Sequence, residues 1–595
     1  MNFRALRETL NRPLTDAEQR LLALAATAPL AVWIGFIGLS VKQAEMVVRH
    51  YGYFVMLAAF ALFVLALFRI RSAWFASGVA VKRREAWQAA ALIIGCSWLF
   101  FSSEPLRAKV LNDEFVLQST AFNLHFFRDA GAMVRGYDIA GVFLPLGDYL
   151  DKRPIFYPFL VALAHDLTGF RVTNAFLVNG LLQPLLLWLA WWLARRLAGA
   201  GAGLLAVALL GTLPLLGQSA TGSGMELTNA TMILLTAALA VLYLEKPDLA
   251  RVSALVLALV LLCQSRYESA VVVAAGGLVL LLGWWRERRL ILSWPAVLAP
   301  LLLVPFALQH KVLANSPVLW ELTEERNVRF SLGYVPENLR RAWVFFTSTD
   351  SHMANSWYLT AAGLAGCGWL VVRLWRKRRL QLSGWSVPAL AVAPIAAAIV
   401  ANLALILAYY WSGLDDPMAS RFALPFCVLL AVLAAVALTL MDARGRVARV
   451  ALAGALVFIL GVTVPRLARH AYSNLGIQEQ EWMVRTVEAR AQVPRIVIAN
   501  RSTMIWLLER IPSILINRAR LYQDRLSFQL KEGIFHEILI TQELRPTSIE
   551  GQHQIVPEDV MPASFHLETV AEKRFGTKLV RISRIVAIDP PPAAT

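Results

Sequence analysis

Charge is scarce in this chain. Asp, Glu, Lys and Arg make up 16% of its 595 residues, against roughly 25% in soluble domains. That deficit excludes a string of soluble domains and a disordered chain alike. Cysteine is scarcer: Cys96, Cys263, Cys367 and Cys427 are the only four. Each falls inside an apolar stretch, without CxxC spacing or a Cys/His cluster, so neither a disulfide framework nor a zinc site is expected. Internal repeats and low-complexity segments are absent. No cleavage-site pattern flanks the first apolar run, which therefore reads as a signal anchor. The GSG at 222–224 has no strand before it and no Lys after it, so it reads as a helix-start loop rather than a phosphate cradle.

What fills the chain instead is apolar sequence: 58% of residues are hydrophobic and the mean hydropathy is +0.56. Thirteen runs approach the length of about 20 residues that crosses a bilayer: 21–41, 51–68, 87–103, 175–193, 202–216, 227–244, 249–264, 270–285, 290–308, 357–372, 385–411, 422–441 and 450–464. A fourteenth, 155–167, is short and contains His165 and Asp166, and reads as a re-entrant or interfacial helix. The net charge of +17 would suggest nucleic acid in a soluble protein. Here the basic residues flank the apolar runs, where they set orientation, and no nucleic-acid partner is expected. With the N-terminus inside, every even-numbered connection is basic: Arg69 to Arg84, Arg195 and Arg196, Lys246, Arg286 to Arg289, Arg373 to Arg379, Arg444 and Arg446. Counting 155–167 as a span would put the later clusters outside. Thirteen spans and an outer C-terminus follow.

The expected fold is therefore a mostly α, polytopic membrane protein with a C-terminal extracytoplasmic α/β domain. Residues 1–20 form a cytoplasmic segment, 21–86 a transmembrane hairpin with a basic loop, and 87–465 a membrane core with outer loops at 104–174 and 309–356. Residues 466–595 carry short β-branched runs (RIVIAN, SILIN, HEILIT) between helical stretches and read as a soluble α/β unit, ending in a tail, DPPPAAT, expected to be disordered. The spans are nearly free of ionisable residues, which argues against an ion-coupled carrier. Polar chemistry collects in the outer loops, an arrangement suited to a substrate with its head group at the interface and its tail in lipid.

The first outer loop opens with Asp113-Glu114, a few residues beyond a span, and closes with Lys152-Arg153-Pro154 before FYPFLVAL. A carboxylate pair there is a candidate general base, and a Lys-Arg pair at an interface a candidate phosphate clamp. Taken singly, a surface carboxylate is most often merely solvated. The combination resembles the membrane-embedded glycosyltransferases of the GT-C fold, nearest the protein O-mannosyltransferases and the lipid A aminoarabinose transferases. Ser420-Arg421-Phe422-Ala423-Leu424-Pro425 is similar to the Arg-Tyr-x-x-Pro segment that opens a late span in that family. The resemblance implies transfer of a sugar from a polyprenyl-phosphate carrier to an acceptor lipid, glycan or protein on the outer face. It implies Asp113 as the base, Glu114 beside it orienting the acceptor or a metal, and Lys152 on the carrier phosphate. Relatives often carry a second proline where this chain has Arg153, which leaves open which of Lys152 and Arg153 faces the phosphate. The hairpin at 21–68 lies outside the resemblance.

Other polar residues have two readings each. Arg266, in QSRYES, is a second phosphate contact with Tyr267 and Glu268 on sugar hydroxyls, or a snorkelling arginine paired with Glu268. Arg421 is a phosphate or acceptor contact, or a helix-end arginine. Asp415 and Asp416 hold a divalent cation or cap the Asp-Pro turn. His125, on an aromatic face, is a substrate contact or a packed histidine. The loop 309–356 is a cover over the site or a solvated connector. No cofactor is required, and a divalent cation is left open. The alternatives in other classes are a lipid-linked glycan flippase or transporter and an O-antigen ligase or polymerase. Neither accounts for the Asp-Glu opening of the first loop. A bacterial inner membrane is the expected setting. The outer α/β domain is expected to position the acceptor or to pack on the third loop.

Overall fold

A computed structural model describes residues 15–76, 81–139, 142–146, 148–316, 322–376, 385–490, 493–500, 503–548 and 552–589. Residues 1–14, the basic trio Lys377, Arg378 and Arg379, and the tail 590–595 lie outside the described residues. Among the described residues, ten helices are long and apolar enough to cross a membrane. They become eleven if the bent pair Ala200–Gly211 and Pro214–Thr221, which turns by 74°, counts as one span. The other two expected spans fall on Leu249–Cys263, apolar but 15 residues long, and on Trp357–Arg376, which runs to the edge of the described residues. Among the described residues the count is thus ten or eleven, and each of the thirteen expected runs falls on a helix or a bent helix pair. The short run at 155–167 is the helix Phe156–Thr168, with 13 residues.

The centre of the bundle is the helix Glu226–Glu245, whose residues Glu226 to Leu244 are all buried. It shows no apolar stripe because it has no exposed face. Each of its ends carries a charge cluster. Glu226 binds Arg266 and Arg421, 2.7 and 3.2 Å away. Glu245 pairs with Arg196. Arg195 beside it reaches Glu85 at 3.4 Å, and Arg286 donates to the Leu244 carbonyl. A 20-residue helix is about 30 Å long, so the two sets of loops assigned to opposite faces do lie at opposite ends of the bundle.

The N-terminal hairpin consists of the helices Asp16–Val32 and Val41–Arg69. It braces the end that bears the first loop. Lys311 donates to the Phe36 and Leu39 carbonyls in the hairpin turn. Arg49 grips both oxygens of Asp129, at 2.9 and 2.7 Å, and donates to the Asp148 carbonyl. Gln309 donates to the carbonyls of Asp151 and Arg153. The segment carrying Lys152 and Arg153 is thus fixed from two sides.

The C-terminal runs become strands, and the sheet they form recruits the first loop. The strands are β1 (Arg135–Ile139), β2 (Val142–Leu146), β3 (Arg495–Ala499), β4 (Ser513–Leu515), β5 (Glu537–Pro546), β6 (His553–Ile555), β7 (Phe565–Phe575) and β8 (Lys578–Ile588). Their order is β2-β1-β4-β3-β5-β8-β7, with β6 on β5. β3 runs parallel to β4 and β5, and the remaining pairs are antiparallel. RIVIAN, SILIN and HEILIT supply β3, β4 and β5. Ile496, Ile498, Ile538 and Ile540 pack into one apolar layer, and Val497, Ala499 and Leu539 into another. Both faces are covered, as a parallel core requires. Gly136 of β1 meets Ser513 of β4. A Cβ at Gly136 would lie 2.6 Å from the Phe143 ring and 2.8 Å from a Leu507 methyl, so a larger residue would push these side chains aside at the junction. Thr503 also donates to the Val134 carbonyl, at 2.6 Å. The α/β unit therefore docks on the first loop. At the root of the unit, Arg466 donates to Asn355 and Thr349 of the third loop.

The Arg49–Asp129 clamp gives a prediction. Arg49→Ala and Asp129→Asn should each lower the thermal unfolding midpoint in detergent, and the double variant should be little worse than either. The coupling energy expected is roughly 0.5–3 kcal/mol; additive losses would show that the clamp does not act as a unit.

Candidate active site

Asp113 and Glu114 lie in the first turn of the helix Leu111–Phe126, where acids complement the positive end of the helix dipole. They face opposite ways. The Glu114 carboxylate is buried, with one oxygen accepting from the backbone N–H groups of Lys109 and Val110, both at 3.1 Å. Its other oxygen accepts from the N–H and hydroxyl of Ser223, both at 2.8 Å. Four donors on two oxygens fit the ionised form. Burial pushes the carboxyl up, and the donors from Ser223 and Lys109 pull it back only in part. The GSG loop is thus a structural latch: Glu114 holds Ser223, while Asn179 donates to the carbonyls of Gly222 and Gly224.

Asp113 points into a cavity of about 310 Å³. One of its oxygens pairs with Arg153 and the other with Arg421. Burial pushes the Asp113 carboxyl up, but Arg421 and Arg153 outweigh it and hold the group well below the usual carboxylate range. Each arginine has a second anchor. Arg153 donates to both oxygens of Asp151, at 2.9 and 2.8 Å. Arg421 donates from Nε to the Met418 carbonyl at 2.7 Å and reaches Glu226 at 3.2 Å. Arg266 bridges Glu226 and Glu268 and lies over the Phe422 ring, 4.9 Å from its centroid. Desolvated charge-assisted pairs of this kind are strong only when each partner is anchored.

Seven of the nine residues singled out from sequence line this cavity: Asp113, Lys152, Arg153, Arg266, Tyr267, Glu268 and Arg421. Both members of the Lys-Arg pair face it, and Arg153 is the one bonded to Asp113. Glu114 and His125 do not line it. Glu114, grouped with Asp113 as catalytic, is placed as the latch that sets the pitch of the Asp113 helix. His125, more than three turns along that helix, is held by Asp166 at 2.6 Å. Its ring centroid lies 4.4 Å from that of Phe126 and 5.6 Å from that of His165. Of the acids considered for a cation, Asp415 binds Arg341 at 2.5 Å and Asp416 accepts from the Met418 N–H. Gly413 makes room for Arg341: a Cβ there would lie 2.0 Å from the guanidinium carbon. Among the described residues, no three His, Cys, Asp or Glu side chains gather as a metal site.

Sequence reasoning passed over Glu226, the buried acid that ties Arg266 to Arg421. Its signal was available: a lone carboxylate at the start of an otherwise uncharged apolar run is expensive and needs a partner. It also passed over the apolar wall formed by Leu405, Ile406, Tyr409 and Trp411. The third loop closes this side. Phe330 bridges Tyr409, the Ser331 N–H donates to the Ala408 carbonyl, and the Tyr410 N–H donates to the Arg329 carbonyl. The cavity therefore sets a cluster of charged side chains against an apolar wall, with Arg329 beside that wall.

A bundle of membrane helices that carries its charged cavity under loops at one end, beside an α/β unit, has the architecture of the GT-C glycosyltransferases. One comparison with a solved structure bears out the fold. The apo crystal structure of ArnT from Cupriavidus metallidurans, 16% identical, matches with a TM-score of 0.50 over 84% of this chain and 98% of that one. ArnT bound to undecaprenyl phosphate gives 14% identity and a TM-score of 0.48, over 84% and 99%. The Archaeoglobus fulgidus oligosaccharyltransferase AglB, in complex with an inhibitory peptide and a dolichol-phosphate, gives 11% and 0.44, over 81% and 76%. The family model for dolichyl-phosphate-mannose-protein mannosyltransferases matches residues 152–310, a stretch that opens at Lys152 and closes at His310 on the cavity wall. The chain is thus an integral membrane protein of GT-C fold, similar to glycosyltransferases that use polyprenyl-phosphate carriers. No curated protein sequence matches it.

The latch gives a prediction. Glu114→Gln keeps the shape but turns an N–H₂ group toward backbone donors, and should cost about 1–3 kcal/mol of stability, read as a lower unfolding midpoint in detergent. An unchanged midpoint would mean that Glu114 does not hold the loop.

Proposed function

We propose that this protein is an inverting glycosyltransferase that moves a sugar from a polyprenyl-phosphate carrier to an acceptor lipid, glycan or protein at the outer face of the membrane. The observation that carries the reading is the carboxylate of Asp113, paired with Arg153 and Arg421 in a cavity that Lys152, Arg266 and Glu268 also line and that has an apolar wall. The charged side suits a phosphate. The apolar wall suits the first carbons of a lipid carrier. The undecaprenyl phosphate in the ArnT complex and the dolichol-phosphate in the AglB complex are ligands of that chemistry.

The chemistry needs two functions. Asp113 takes the proton of an acceptor hydroxyl, or orients an amine, as the acceptor atom attacks the anomeric carbon from the side opposite the phosphate. The bond from that carbon to the phosphate oxygen breaks, and the electron pair leaves with the phosphate. The leaving group passes from a singly charged diester to a monoester that gains negative charge. Arg153 and Arg421 are the donors placed to meet that charge, with Lys152 and Arg266 beside them. Fixed guanidinium forks need no reorganisation as the charge develops, which is why their second anchors on Asp151, Glu226 and the Met418 carbonyl matter. Attack in a single displacement inverts the sugar carbon.

The test is transfer of label from polyprenyl-phosphate sugars to endogenous acceptors in membranes. Wild-type protein should transfer, and Asp113→Asn at matched expression should lose about a hundred-fold or more. Equal transfer by both would remove Asp113 from the role of base; no transfer by either, across several donor sugars, would contradict the reading. Because the α/β unit shares its sheet with the first loop, deleting residues 470–595 should weaken binding of undecaprenyl phosphate together with acceptor use. Loss of acceptor use alone would show that the unit serves the acceptor only.

A further inference from the structure

Resting on that reading, we infer that Asp113 occupies the seat of the donor phosphate in the donor-free protein, and that the phosphate must evict it. Three arginines meet here, Arg153, Arg266 and Arg421, and they face four carboxylates, Asp113, Asp151, Glu226 and Glu268. The carboxylates already take up the charge of these three arginines, so a phosphate that seats on them displaces a resident anion; Lys152 and Arg329 also line the cavity. The four carboxylates are not equivalent. Asp151 and Glu226 are buried and do not line the cavity. Each anchors an arginine from behind. Glu268 lines the cavity but meets Arg266 alone among the three. Asp113 lines the cavity and bridges two arginines, one oxygen on each.

The anchoring decides which partner moves. Arg153 turns its NH2 to Asp113 while its NH1 is held by Asp151. Arg421 turns its NH2 to Asp113 while its Nε and NH1 are held by the Met418 carbonyl and Glu226. The guanidiniums stay where they are when Asp113 leaves. What remains is a pair of N–H donors aimed at one point, spaced for two oxygens of one anion. A carboxylate and a phosphate monoanion present the same oxygen geometry to such a pair, so Asp113 acts as a built-in stand-in for the phosphate.

Eviction couples donor binding to base formation. Bonded to two guanidiniums, the Asp113 carboxylate has both oxygens engaged and accepts a proton poorly. Displaced by the phosphate, it loses those cations, gains an anionic neighbour, and becomes a stronger base on the cavity side of its helix. The protein then has a base only when the donor is seated, so the donor binds before the acceptor is activated. No bond is made or broken in the exchange, which swaps one anion for another on fixed cations.

The experiment measures affinity for undecaprenyl phosphate, without sugar or acceptor, on the purified full chain in detergent. Asp113→Asn and Asp113→Ser remove the competing anion, and each should bind about ten-fold or more tightly than wild type while losing transfer activity. A variant that strengthens binding as it abolishes transfer is not the outcome of a merely structural lesion; the serine variant carries the comparison if the asparagine variant does not fold. Equal or weaker binding by both variants, with wild type binding, would overturn the eviction and leave the donor reading standing. No binding by any of the three proteins would overturn the donor reading itself.

Discussion

A chain of buried and half-buried ion pairs, Asp151–Arg153–Asp113–Arg421–Glu226–Arg266–Glu268, is the constraint on which the rest of the structure depends. Its members come from five separate places in the sequence: the first loop twice, the start of the central helix, the turn after Cys263, and the turn before Leu424. Taking this many charges out of water is costly unless each is paired and held. The fold meets that cost with rigid supports. The N-terminal hairpin and Gln309 hold the segment of Arg153, the GSG latch holds the helix of Asp113, and the central helix holds Glu226.

Those supports explain the shape of the molecule above the bundle. The first loop, which carries two links of the chain, is the most heavily tied. Arg49 clamps it from the hairpin, and β1 and β2 splice it into the sheet of the C-terminal unit. Arg510 adds a further contact, lying 5.0 Å from the Phe126 ring centroid and 5.4 Å from that of Phe170. The third loop is tied by the bridge at Phe330, by Arg326 on the Tyr410 carbonyl, by Asn338 on the Leu407 and Tyr409 carbonyls, by Arg341 on Asp415 and, at its far end, by Arg466. The cavity thus has both sides held, the charged side by paired side chains and the apolar side by hydrogen bonds from the third loop.

Hydropathy made the bundle legible, because apolar runs and basic flanks report directly on lipid and orientation. The loops that bear the site followed from that parity. Asp113, Lys152, Arg153, Arg266 and Arg421 were legible because charge is rare here and each stands where a span ends. Glu226 escaped because it was read as the polar edge of a helix-start loop. β1 and β2 escaped because local alternation is weak in RGYDI and VFLPL, and the partner that joins β1 to the sheet, Ser513, lies far along the chain. Glu114 was read with Asp113 by adjacency, yet neighbouring residues on a helix point about 100° apart, and the two carboxylates serve different ends. The 74° break before Pro214 escaped because hydropathy does not register a bend inside an apolar run.

The most direct test of this account is a structure of the protein with undecaprenyl phosphate bound. The account places the phosphate between the Arg153 and Arg421 guanidiniums, with both arginines still on Asp151 and Glu226 and with Asp113 turned away from them. A phosphate seated elsewhere, with Asp113 still bridging the two arginines, would contradict it.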